Sequence, residues 1–416
     1  MTTPPEGHPI YGPAPYGGGR PAPAPDSSGG HPGAGHAPPV TSHAPPGPGY
    51  PPHPGAQPGL QPGLQPGQPG AAYPGHGFPP PGYAPVAPRP AFPHPEPRPY
   101  HLMFRTWNYA WWRPVVGLFA LLAGMLVIIP VVLLPLLLVA AAIDGGGAEV
   151  SEAFSGLGGG ELTPSGLLYL NLTLAALILW TWLLVRVLHS LRPRWLSSVR
   201  PKLRWPYLFA CLGLAVIALI AQVVVGALVP SDVPGTDATE PNPVDGRTIA
   251  LLLIVLLTTP LQAAGEEYAF RGYLLQALGA LLRHRWVTIV LTALLFATAH
   301  LQFDPPLFLD RFLFGLVAAW LVIRTGGLEA GIALHVLNNY LALGFAVFFS
   351  DLTEALDPGD VSWWNVPVSL TQSLVYAALA AWVAGRMGLQ THTRPPVEEG
   401  PGQPLAHDGV TLTKAG

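Results

Sequence analysis

"TIALLLIVLLTTPLQAAGEEYAFRGYLLQALGALL" occupies residues 248–282, and its only charged side chains are Glu266, Glu267 and Arg271. About 20 apolar residues suffice to cross a bilayer core of roughly 30 Å, so this stretch spans with length to spare. An ionised group at mid-bilayer costs several kcal/mol, and such groups are usually paired and functional. The stretch therefore sets two expectations: a helical membrane protein, and a polar centre built around these three residues.

Composition extends the first expectation. Of 416 residues, half are hydrophobic and only 10% are charged, against about a quarter charged in soluble domains. The net charge of -3 comes with no basic cluster of the kind that grips phosphate backbones, so nucleic acid is not an expected partner. One cysteine, Cys211, excludes an intrachain disulfide and a multi-thiolate metal site. Residues 1–100 differ in kind, being rich in Pro, Gly, Ala and His, with the low-complexity repeat "QPGLQPGLQPGQPG" at 57–70. Such sequence cannot bury enough apolar surface to offset its ordering entropy and is expected to be a disordered tail. The opening "MTTPPEGHPIYGPAPYGGG" has neither the basic nor the apolar part of a cleavable signal, so the first apolar run is expected to act as an uncleaved signal anchor.

Apolar runs predict an all-α, polytopic transmembrane bundle of about eight spans: 115–143, 167–188, 207–229, 249–268 extending to 282, 286–301, 307–323, 328–349 and 366–384. The helical membrane domain would cover 101–388, with a second disordered tail over 389–416. The loops test the count. "VRVLHSLRPRWLSSVRPKLRW" at 185–205 is basic, whereas "DGGGAEVSEAFSGLGGGELTP" at 144–164, "PSDVPGTDATEPNPVDG" at 230–246 and "SDLTEALDPGD" at 350–360 are acidic. With eight crossings the basic loops fall on one side. The bias of Lys and Arg toward cytoplasmic loops then places both termini in the cytoplasm of a multi-pass cell-membrane protein.

The membrane interior holds a short polar set whose types suit acid–base chemistry: Glu266, Glu267, Arg271, His300, His335, Asn338 and Asn339. Positions four apart share a helix face. Glu267 and Arg271 should pair, leaving Glu266 on another face without a partner on its own helix. His335 and Asn339 share a surface, and Phe296 stands one turn from His300. Gln222, Gln262 and Gln276 read as interhelical hydrogen bonds. A buried carboxylate such as Glu266 is suited to taking a proton from water. His300 could hold that water, and His335 with Asn339 could donate to an oxygen turning negative in a tetrahedral intermediate. The same residues, Glu266, His300 and His335, would be the ligands if the site required zinc, since two histidines and a carboxylate make a familiar catalytic set. Depth is the difficulty. At 1.5 Å per residue from position 249, Glu266 lies about 25 Å from the outer face, while His300 ends its own short span near that face.

Three motifs carry a family resemblance. "EEYAFRG" (Glu266–Gly272), "FATAH" (Phe296–His300) and "RTGGLEAGIALHVLNN" (Arg324–Asn339) resemble the EExxxR, FxxxH and HxxxN motifs of the CAAX-protease and bacteriocin-processing family of intramembrane proteases. The resemblance implies that Glu266 activates water, that Glu267 and Arg271 support it, that His300 assists, and that His335 and Asn339 form the oxyanion site. It implies a peptide or membrane-protein substrate, a prenylated one among the candidates, within the lipid bilayer, and it leaves the zinc question open. Two other classes stay in view: a proton- or ion-coupled transporter, because buried Glu, His and Arg also build relays, and a non-catalytic scaffold or immunity protein keeping the same fold.

Overall fold

The computed structural model describes residues 92–144, 150–153, 155, 161–230, 241–350, 352 and 361–394. The expectations for the tail up to residue 91 and for residues 395–416 lie outside these. Among the described residues the architecture is helical, with two isolated β-bridges and no strand. Seven helices are long and apolar enough to cross a membrane: α1 (Trp112–Ile143), α2 (Pro164–Leu188), α3 (Trp205–Gly226), α4 (Gly246–Leu282), α6 (Pro305–Thr325), α7 (Glu329–Phe349) and α8 (Asn365–Arg386). The expected eighth span is the shorter helix α5 (Arg285–Ala299), whose 15 residues cover about 22 Å. It falls short of a full bilayer core because His300 ends it and Leu301 leaves it in left-handed geometry at φ 57°.

Local sequence explains the boundaries. Thr163, Asp245 and Asp304 accept from backbone N–H groups at the starts of α2, α4 and α6, satisfying donors that an open helix end leaves bare. Gly326 closes α6 at φ 74°, a conformation that glycine enters without a Cβ penalty. Pro130, which offers no N–H to the carbonyl four residues back, follows directly on a π-helical stretch, Gly124–Ile128. Such local widening is how membrane helices absorb proline.

The packing runs α1–α2–α4–α7–α3–α8–α6–α5, and α5 returns to the C-terminal part of α4. Outward faces of α1, α2, α3 and α4 expose Phe119, Val132, Leu179, Phe209, Ile220 and Leu257. Contiguous apolar exposure on this scale is a lipid-facing belt. Trp107, Trp111 and Trp112 mark one end of the bundle and Trp363 and Trp364 the other, all exposed, as expected of an interfacial aromatic girdle.

The two ends differ in chemistry. At the acidic end Arg247 pairs with Glu161 at 2.6 Å, and Asn242 donates to the carbonyls of Val347 and Ser350 that terminate α7. The basic end is the more elaborate. Residues 197–199 run beside 326–328, with Val199 N–H donating to Gly326 O and Leu328 N–H to Ser197 O. Arg204 Nε and its own backbone N–H both reach Glu329 Oε1 at 2.9 and 2.8 Å, while Nη1 donates to Thr325 O. Glu329, the first residue of α7, is fully buried in this clamp.

Stretches 92–99 and 389–394, placed by sequence in the terminal tails, also pack here. Pro99 bridges His392, Thr393 N–H donates to Arg98 O, and Tyr100, Met103 and Phe104 are buried. The reason is local: after the Pro/Gly run, Phe92, Tyr100, Met103 and Phe104 supply apolar surface that the helix ends can cover. Arg105 and Tyr109 donate to Ala280 O, capping the carbonyl end of α4. Inside this layer His94 and His101 are both held down to about 4 from an ordinary value near 6.5, chiefly by burial.

Two outcomes follow. Replacing Arg204 by Met leaves the Glu329 carboxylate buried and unpaired, which should cost about 3–5 kcal/mol. A thermal unfolding midpoint in detergent should fall accordingly, and Arg204→Met combined with Glu329→Leu should recover most of the loss. The buried neutral histidines bind protons more readily when unfolded, so their contribution is complete above about pH 6.5 and is lost as pH falls toward 4. Amide exchange over 92–104, corrected for intrinsic pH dependence, should show protection weakening through that interval.

Candidate active site

Every functional pair in the site is spaced at i, i+4 along its helix. On α4, Arg271 Nη1 donates to Glu267 Oε1 at 2.8 Å, with both side chains completely buried. The guanidinium carbon lies 3.9 Å from the centre of the Phe296 ring, a cation–π contact that partly replaces water for a charge with two unpaired nitrogens. The helix widens to π geometry over Tyr268–Leu274, immediately after the two glutamates, a distortion frequent at functional sites.

On α7, His335 turns Nδ1 to Glu267 Oε1 at 3.0 Å and sets Nε2 3.8 Å from Glu266 Oε2. One imidazole thus touches both carboxylates of the acidic pair. Gly331, one turn earlier, makes room for this, since a Cβ there would stand 2.5 Å from Glu267 Oε2. Phe296 and Phe314 stack on one another and border the His335 ring. On α5, His300 Nδ1 donates to Phe296 O at 2.8 Å, which leaves Nε2 as the acceptor of the neutral ring.

These groups meet at one cavity of about 310 Å³. Glu266, His300, His335, Asn338 and Asn339 line it; Glu267 and Arg271 lie behind its wall. α2 lines it with Leu167, Leu170 and Leu174 beside Asn171, whose amide donates to Thr258, while α6 adds Asp310 and Arg311 and α8 adds Ser369, Gln372 and Ser373.

The depth difficulty is resolved by the α4–α5 hairpin. Arg283, at φ 64°, ends α4 in left-handed geometry and turns the chain directly into α5. Antiparallel neighbours rise equally from a shared turn, so residues equidistant from it stand level. Glu266 and His300 are equidistant from Arg283, and Phe270 meets Phe296 edge-on at 5.2 Å one turn nearer. Counting from two membrane faces separately had put them apart; counting from their common turn brings them together.

One expectation changes. Glu266 has a partner on its own helix: Gln262, expected as an interhelical bond only, donates Nε2 to Glu266 Oε1 while its Oε1 accepts from Asn339 Nδ2 at 2.9 Å. The signal was present, since Gln262 precedes Glu266 by one turn, and Gly331 precedes His335 in the same way. Glu266, His300 and His335 all line the cavity, and with Nδ1 taken by Glu267 and by Phe296 O each imidazole keeps Nε2 free, as a metal-binding histidine does; as placed, no three His, Cys, Asp or Glu side chains among the described residues stand where they could hold an ion together.

Residues 248–341 match the family model described as Type II CAAX prenyl endopeptidase Rce1-like, in agreement with the resemblance carried by the three motifs. That segment runs from the start of α4 to the middle of α7 and contains Gln262, Glu266, Glu267, Arg271, His300, His335, Asn338 and Asn339, while the walls on α2 and α8 lie outside it. The chain is 24% identical over 218 residues to the uncharacterized protein YyaK of Bacillus subtilis (strain 168), spanning 48% of this chain and 70% of that protein. It is 36% identical over 103 residues to an uncharacterized 24.3 kDa protein of Escherichia coli, spanning 23% of this chain and 44% of that one. No solved structure matches the chain.

Gly331→Ala tests the packing of the carboxylate pair. Glu267 is pinned by Arg271 and His335 and cannot yield cheaply, so the variant should lose about 1–3 kcal/mol of stability. Gly344→Ala, on the same helix with nothing within 4 Å, should be neutral or gain up to about 1 kcal/mol. Equal midpoints for the two variants in detergent would contradict the assigned contact.

Proposed function

We propose that the protein is an intramembrane endopeptidase, hydrolysing a peptide bond of a membrane-associated substrate with water activated by Glu266. The observation that supports this best is the convergence of Glu266, His300, His335 and Asn339 on one cavity inside the segment similar to CAAX prenyl endopeptidases. Glu266, held by Gln262, takes a proton from water. The water oxygen bonds to the substrate carbonyl carbon, and the carbonyl π electrons move to its oxygen. That oxyanion accepts from Asn339 Nδ2 and, when both ring nitrogens carry hydrogen, from His335 Nε2. The proton then passes from Glu266 to the amide nitrogen as the C–N bond breaks, giving a new carboxyl group and a free amine. His300, with Nδ1 given to Phe296 O, orients the water through Nε2. Glu267 and Arg271 act through His335 as positioning residues, because neither lines the cavity.

The walls define a substrate class. An extended segment could lay apolar side chains against Leu167, Leu170 and Leu174 and satisfy its backbone on Ser369, Gln372 and Ser373. A prenylated peptide is one member of that class. His335 lies about 9 Å along α7 from Glu329 at the basic end. With the basic end facing the cytoplasm, cleavage takes place in the cytoplasmic half of the cell membrane, and both chain ends are cytoplasmic.

Glu266→Gln keeps the size and the hydrogen bond to Gln262 but removes the base. It should lower cleavage at least about 100-fold while leaving the unfolding midpoint near that of the parent. Labelling of new peptide N-termini in membranes carrying either protein would measure this. Unchanged cleavage would remove Glu266 from the role; proton flux in proteoliposomes lost in the variant, with no cleavage by either protein, would replace the reading with a proton relay.

A further inference from the structure

A second cavity, of about 340 Å³, opens at the basic end between α5 and α6, well away from the acid–base cluster. Arg285 and Arg324 face it from the two helices, and His101, His392, Pro99 and Thr391 complete the polar side. Both arginines are exposed, and among the described residues neither is paired with a carboxylate. His101 is buried and its Nδ1 has no hydrogen-bond partner. Two cations brought to one cleft without a counter-charge repel one another, which an anion between them relieves. The inner wall is of another kind: Trp286, Ile289, Trp320 and Ile323. Arg285 lies 5.1 Å from the Trp286 ring centre, so an interfacial aromatic holds one cation in place. Val287, Val290 and Leu294 then carry an exposed apolar stripe along α5, away from the cleft and toward the bundle centre.

Positive charge at a helix end, an aromatic at interfacial height and a lipid-facing stripe beneath form a sequence that matches an amphiphile in order. We infer that this cleft binds the phosphate headgroup of an anionic phospholipid, with the acyl chains lying along the exposed face of α5. A free phosphate shares the headgroup chemistry but makes no use of the stripe. Basic pockets between helices at the cytoplasmic surface bind anionic headgroups on these terms. Because Pro99 and His392 form the rim and bridge one another, both terminal segments contribute to the site. The inference does not depend on the hydrolytic reading.

The test uses the full chain in nanodiscs of mixed phosphatidylglycerol and phosphatidylcholine, with retained lipid quantified after transfer to detergent. The parent should enrich phosphatidylglycerol, and enrichment should fall about fivefold for each arginine removed in Arg285→Gln and Arg324→Gln. The Lys replacements, which keep the charge, should retain most of it. Arg186→Gln with Arg200→Gln removes the same charge from exposed positions outside the cleft and should leave enrichment intact. Equal enrichment in parent and double-Gln variant, or an equal loss in the Arg186/Arg200 control, would overturn the assignment. So would a parent indifferent to headgroup charge whose cleft is protected by inorganic phosphate alone.

Discussion

The structure depends on how one buried guanidinium is neutralised. Arg271 is completely enclosed, and a charge in that position is tolerable only when paired and hydrogen-bonded. Its compensation comes from three helices together: Glu267 from its own turn of α4, the Phe296 face from α5, and His335 from α7 through the shared carboxylate oxygen. The interaction therefore fixes the relative height of the three helices that carry the motifs.

That constraint has a consequence for Glu266. Adjacent residues on a helix diverge by about 100°, so anchoring Glu267 into the protein turns Glu266 toward the cavity. Glu267 and Arg271 act as the foundation and Glu266 as the exposed group, with His335 touching both. Gln262 extends the arrangement to Asn339, and the carbonyl of Phe296 selects which nitrogen of His300 remains an acceptor. Glu266, His300, His335 and Asn339 are thus each held by a second polar contact, the condition under which polar groups in a low-dielectric interior are pre-organised instead of merely costly.

The basic end supports this from outside the membrane core. The Arg204–Glu329 clamp sets where α7 begins, and hence the depth of His335 six residues later. The terminal segments cover the projecting end of α4, with Arg105 and Tyr109 capping it. This layer also forms the rim of the arginine-lined cleft, so that cleft and the Glu266 cavity share a scaffold without sharing residues.

Much of this was legible one residue at a time. The apolar runs, the acidic and basic loops, the Glu267–Arg271 pair and the Phe296–His300 step all follow from a period of 3.6 residues and the cost of charge in lipid, both local properties. The partner of Glu266 was legible too, since Gln262 obeys the same spacing, but its second bond to Asn339 joins two helices. The terminal segments packed at the basic end and the burial of Glu329 were not legible, because composition does not say which surfaces will be covered. What the amino-acid order determined alone was the kind of helix and the face each side chain occupies. Which faces meet, and therefore that His335 serves both glutamates, was decided only by tertiary packing, because compensation of a buried charge is a property of neighbours and not of the chain.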